Sequence, residues 1–88
     1  MAMHVMLTVD LNKVSSEARN QFNGYLQGKH WNKLSLTTTW TAKFKDGVSA
    51  SDALQTTKND VAKAADYARI SDYEAAAQAG EQKTVQWS

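Results

Sequence analysis

Ser71-Asp72-Tyr73-Glu74-Ala75-Ala76-Ala77-Gln78-Ala79-Gly80 is the stretch on which the fold of this chain turns. Read locally it is a helix: a capping box opens it, an alanine-rich body follows and Gly80 stops it. Read by alternation it is a strand with Tyr73, Ala75, Ala77 and Ala79 on one face. A turn at Gly80-Glu81 then leads to a last strand carrying Val85 and Trp87. A helix would lay a third lid on the molecule, whereas a strand would complete a sheet. The elements before residue 71 decide between them.

Just upstream, Ser49-Ala50-Ser51-Asp52 resembles a capping box, with a carboxylate where the helix dipole favours negative charge. Ala50, Leu54, Thr57, Val61, Ala64 or Ala65, and Ala68 then form a stripe of mostly small side chains, predicting a helix to about Arg69 that lies close on a sheet. Asp46-Gly47 supplies the turn before it. From Leu34 to Phe44, Leu34, Leu36, Trp40, Ala42 and Phe44 alternate with Lys33, Ser35, Thr37, Thr39, Thr41, Lys43 and Lys45, a strongly amphipathic β pattern. The run exceeds the usual strand length of about five or six residues. It is therefore either one long bent strand or a tight hairpin broken near Ser35-Leu36-Thr37, and Trp31, out of phase with the even set, favours the break.

Towards the amino terminus, Ser15 or Ser16 caps a helix whose apolar stripe is Ala18, Phe22, Tyr25 and Leu26, with Gly28 closing it as a residue tolerant of positive φ. Before it, Met3, Val5, Leu7 and Val9 point one way while His4, Met6 and Thr8 point the other. The second set is partly apolar too, which predicts a central strand covered on both faces. The order strand, helix, one or two strands, helix, strand is that of an α+β, ferredoxin-like split βαβ fold, an antiparallel sheet with two helices on one face. On that topology residues 71–80 are read as strand. The other sheet face, Thr- and Lys-rich, is left open, with His4, Met6 and Trp31 expected on it as well.

Composition bounds the function. At 88 residues and 42% apolar content, the chain makes one domain, residues 1–88, with a single small core that dimerisation would supplement. Without cysteine it has no disulfide, thiolate metal site or cysteine nucleophile, which fits a cytoplasmic setting. No secretory leader is recognisable at Met1–Asp10, and no run approaches the ~18 apolar residues of a membrane helix. A net charge of +1 is too small for the broad field of a general nucleic-acid binder. The four glycines are isolated, so no phosphate-cradling loop occurs and no small-molecule cofactor is expected.

Among groups able to do chemistry, Asp10 stands out, because the carboxyl end of a strand places it at the rim of the sheet. An Asp there also commonly solvates a turn or caps the next helix. One carboxylate makes a poor metal site; Mg²⁺ would need a second ligand from a symmetry mate. His30, beside Lys29, Trp31 and Lys33, forms a small basic and aromatic cluster suited to phosphate contact and base stacking. The plainer alternative is that Trp31 anchors the helix end in the core while the charges are solvated. Thr37, Thr39 and Thr41, with Lys43 and Lys45, would offer hydroxyls and cations to RNA backbone or to another strand. As plain β formers they need no such role.

His4-Val5-Met6-Leu7-Thr8-Val9-Asp10-Leu11, the helix after it and Leu36-Thr37-Thr38-Thr39-Trp40-Thr41-Ala42 are similar to the first strand and the threonine/tryptophan strand of a ferredoxin-like superfamily. That superfamily includes the small CRISPR-associated adaptation nucleases, virulence-associated ribonuclease toxins and a messenger-cleaving antitoxin. The resemblance covers residues 3–70. It implies a sheet that pairs two subunits, and a role for Asp10, from both, in holding a catalytic metal. The chain departs from the family in having just Arg19 and Arg69 as arginines.

Two functions follow as expectations. One is a non-enzymatic interaction module, a homodimer that binds a protein or RNA partner through its open face or an edge strand, as in toxin–antitoxin or phage-defence systems. The other is a metal-dependent endoribonuclease with Mg²⁺ held by Asp10 at a dimer interface.

Overall fold

The structure is a computed structural model and describes residues 2–34 and 38–81. Its elements run β1 (Met3–Leu11), α1 (Ser16–Gly28), β2 (Asn32–Lys33), β3 (Thr39–Phe44), α2 (Ala50–Ala68) and β4 (Tyr73–Gly80). The sheet order is β2-β3-β1-β4, every neighbouring pair antiparallel. This is the α+β, ferredoxin-like split βαβ arrangement. Residues 73–80 are strand although their propensity is helical, because pairing with β1 from Leu11↔Tyr73 to His4↔Gly80 outweighs local preference. The expected last strand with Val85 and Trp87 lies outside the described residues.

One sheet face carries the core. Val5, Leu7, Val9 and Leu11 from β1, Trp40 from β3, Phe22 and Leu26 from α1, and Ala53, Val61, Ala64, Ala65 and Ala68 from α2 form a single buried cluster. Of α2's six buried residues all but Val61 are alanine or threonine, and Thr57 donates its Oγ1 hydrogen to the Ala53 carbonyl at 2.8 Å. The stripe is shifted from the predicted one: Ala53 is buried, while Ala50 is exposed and Leu54 half-buried. β1 is central, as its pattern implies, but only its odd face is covered. Met6, Thr8 and Asp10 are exposed and His4 is half-buried, because both helices lie on the other side.

The local signals act through identifiable bonds. Ser15 Oγ accepts from the Ala18 amide and Ser49 Oγ from the Asp52 amide, both at 3.1 Å, so each helix begins where an oxygen can satisfy an otherwise free N–H. Gly47, at φ 90, occupies the third position of a turn closed by the Val48 amide on the Lys45 carbonyl. The helix ends correct one expectation. Gly28 ends α1, yet the positive φ belongs to His30, at 69°. The Trp31 amide donates to the Leu26 carbonyl and the His30 amide to the Gln27 carbonyl, the paired bonds of a Schellman cap. α2 ends in the same way: Arg69 has φ 58, Ile70 donates to Ala65 and Arg69 to Asp66. In each cap the next residue, Trp31 or Ile70, is buried.

The middle segment is a hairpin. Lys33 pairs with Trp40 and Asn32 with Thr41, and the intervening Ser35-Leu36-Thr37 lies outside the described residues. Pairing fixes the faces, since residues opposite one another point to the same side of a sheet. Lys33 therefore shares the helix-covered side with Trp40, whereas Asn32 joins Thr41 on the open side. Periodicity carried straight through the turn places Lys33 on the wrong face.

Candidate functional site

The open face can be written row by row from the register of β3, β1 and β4. Lys43, His4 and Gly80 form the first row; Thr41, Met6 and Gln78 the second; Thr39, Thr8 and Ala76 the third; Asp10 and Glu74 the fourth. Cationic capacity thus gathers at one end of the strands and carboxylate at the other. Met6, 39% exposed, lies in the middle. Among the described residues it is the large apolar side chain that the sheet itself presents to solvent.

The residues singled out from sequence divide across this geometry. Thr41 and Lys43 lie on the open face, half-buried and exposed respectively. Thr39 faces the same way but is buried, so it offers little hydroxyl surface. Lys45 is exposed just beyond β3, and Thr37 lies outside the described residues. His30 and Trp31 do not form a stacking cluster with Lys33. Of the two readings of Trp31 the anchor at the helix end is the one found, not a place on the open side: it is 3% exposed, and its Nε1–H donates to Asp60 Oδ2 at 3.0 Å across to α2. His30 is the exposed left-handed residue of the α1 cap, and Lys33 lies on the helix side.

His30 at a left-handed position costs about 1 kcal/mol relative to glycine, which populates that region freely. His30→Gly is expected to raise stability by about 1 kcal/mol, seen as a higher urea midpoint with an unchanged slope. An equal or lower midpoint would mean that the imidazole contributes a contact that offsets the backbone strain.

Asp10, next to last in β1, is exposed and stands directly across the ladder from Glu74. Like charges opposed in this way destabilise a sheet by ~0.2–1 kcal/mol. Glu74 and Gln78 were not legible as site residues, because nothing but the β1–β4 register places them beside Asp10 and Met6. Among the described residues no group of three His, Cys, Asp or Glu side chains stands close enough to hold a metal ion, and no helix is long and apolar enough to cross a membrane. Mg²⁺, usually held by one or two carboxylates together with substrate phosphates, would find at most Asp10 and Glu74 here.

No protein-family model matches the chain, and neither does any curated protein. Among solved structures, the X-ray crystal structure of protein SP2199 from Streptococcus pneumoniae is similar, with 16% sequence identity and a TM-score of 0.56 over 94% of this chain and 89% of that one. That likeness extends to the fold.

Proposed function

We propose that this protein is a non-enzymatic interaction module that works as a homodimer, with the open sheet face as its contact surface. The observation that supports this most is the opposite polarity of the two ends of the face. Consider two copies related by a two-fold axis that lies in the contact plane and crosses the strands. Each row then meets its mirror row, strand over strand: His4 of one copy faces Asp10 of the other, with Lys43 and Glu74 flanking that contact on opposite sides, and the Met6 row meets the Thr8 row. The same patch is complementary to itself, as an isologous contact requires. The acidic Asp10 end, unfavourable within one copy, thus lies over the His4 and Lys43 end of the other.

The face is less suited to a nucleic acid. Within its described rows one lysine stands against two carboxylates, the wrong balance for a phosphate backbone. Sedimentation equilibrium of charge variants tests the dimer. Lys43→Glu and Asp10→Lys are each expected to weaken association about tenfold, or ~1.4 kcal/mol, and the double variant to restore it. A double variant no tighter than either single one contradicts the arrangement.

The competing proposal, a Mg²⁺-dependent endoribonuclease, draws on Asp10 with Glu74 directly across from it. Mg²⁺ bound there would supply water activation and charge stabilisation. RNA incubated with Mg²⁺ and either wild type or Asp10→Asn separates the two proposals. The module predicts no cleavage that depends on Asp10; a hundredfold loss in Asp10→Asn would establish the nuclease.

A further inference from the structure

Among the described residues Tyr67 is the large ring most open to solvent, 62% exposed on the helical side of the molecule. It stands beside Tyr25 of α1, with ring centroids 5.6 Å apart and planes tilted by 37°. The two rings border a groove of about 500 Å³, within the range of ~300–1,000 Å³ in which small ligands are held. The dimer contact proposed above lies on the other side of the sheet and leaves this groove unused.

The rest of the lining runs along α1 in two adjacent rows, each stepping by one turn. Asn20, Gly24 and Gly28 make one row, and Gln21, Tyr25 and Lys29 the other. The groove therefore has an order. Two side-chain amides lie at one end, a ring beside bare backbone in the middle, and a cation at the other end. At 1.5 Å per residue these ends are about 12 Å apart along the helix axis. Lys29 Nζ lies 5.7 Å from the Tyr25 ring centroid, so the cation reaches back towards the middle. Glu17, one turn beyond Gln21, keeps negative charge at the amide end.

Gly24 is the residue that the fold explains least. Glycine inside a helix is destabilising relative to alanine, yet a Cβ at Gly24 would meet nothing within 4 Å. The same holds at Gly28. Neither glycine is required by close packing among the described residues, and the space both leave opens into the groove.

We propose that this groove binds an adenine nucleotide, its base against the tyrosine rings, its edge paired with the Asn20 and Gln21 amides and its phosphate on Lys29. Each part of such a ligand meets chemistry that recognises it. Aromatic side chains hold unpaired bases by stacking, amides donate to and accept from the adenine edge together, and an ammonium group pairs with phosphate. A sugar would use the rings and amides but not the cation. A bare phosphate would use the cation alone. The whole set suits a molecule that carries a flat base at one end and an anion at the other, whether free or as an unpaired position of an RNA strand.

Titration of ¹⁵N-labelled protein with AMP tests this. Amide shifts are expected to saturate with a Kd of about 1 mM or tighter and to centre on residues 20–29 and 67, with Met6 and Thr8 unmoved. Tyr67→Ala, at an exposed position outside the core, should keep the circular dichroism of wild type and weaken AMP about tenfold. Lys29→Gln should weaken AMP and leave adenosine unchanged, because the phosphate alone uses the cation. Gly24→Ala should raise the melting temperature while weakening AMP, a pair of opposite changes that a purely structural glycine would not give. Tetra-adenylate separates the two sources of the ligand: affinity equal to AMP assigns the groove to the free nucleotide, and affinity about tenfold tighter assigns it to RNA. Absence of saturable shifts with AMP overturns the proposal. So do equal shifts with inorganic phosphate, which would reduce the site to a surface cation, and saturation by methyl glucoside in preference to AMP, which would make it a sugar site.

Discussion

Trp31→Ala is expected to lower stability by about 3–5 kcal/mol, the range for removing a large buried aromatic side chain. Trp31 joins three parts of the structure at once. Its backbone amide closes the α1 cap on the Leu26 carbonyl, its ring is buried with Leu26 in the core, and its Nε1–H reaches Asp60 on α2 at 3.0 Å. Domains are stable by only about 5–15 kcal/mol, and one this small belongs near the lower end, so the variant should be largely unfolded in moderate urea. Asp60→Ala isolates the polar part. It strands a buried indole N–H and should cost about 1–3 kcal/mol, whereas Trp31→Phe removes donor and ring edge together and should cost less than Trp31→Ala. Urea titrations followed by far-UV circular dichroism give the order. If Trp31→Ala loses less than 1 kcal/mol, the ring is not the anchor described here, and its role on the open side would have to be reconsidered.

Met6→Glu is expected to weaken self-association by about 2–4 kcal/mol, a factor of ~30 to 1000, while leaving the monomer's stability within ~0.5 kcal/mol. The asymmetry follows from where Met6 lies. In the monomer it is exposed at the centre of the open face and gives up little on replacement. In the proposed dimer it is close to the two-fold axis, so a carboxylate is introduced twice, each copy's near the other's, on a surface that must shed water. Sedimentation equilibrium and thermal melts of dilute protein measure the two quantities separately. Unchanged association would remove the open face as the contact, and a large fall in monomer stability would mean that Met6 belongs to the fold.

Much of the fold was legible because the hydrophobic periods are strong where burial is one-sided. β1 shows the period of two, and both helices show oxygen caps followed by apolar stripes. Residues 73–80 are the instructive case: Glu74-Ala75-Ala76-Ala77 favours a helix locally, yet the free β1 flank offered a full ladder of backbone bonds, and topology chose correctly. The site was less legible, for two physical reasons. Faces are carried across a hairpin by pairing, which is why Lys33 went to the wrong side and why the Asp10–Glu74 opposition was invisible without the register. Left-handed caps usually announce themselves with glycine, but here His30 and Arg69 occupy them. Local sequence leaves Trp31 open between a surface cluster with His30 and an anchor of the helix end; the left-handed cap at His30 decides it by turning the indole inward.

The claim on which the functional account rests is that the open sheet face meets its own copy. It is tested most directly by NOEs between molecules in an equimolar mixture of ¹³C-labelled and unlabelled protein. The account predicts contacts from the Met6 methyl of one copy to the Thr8 and Ala76 methyls of the other. A strictly monomeric protein, or contacts between copies confined to α1, α2 or the β4 edge, would contradict it.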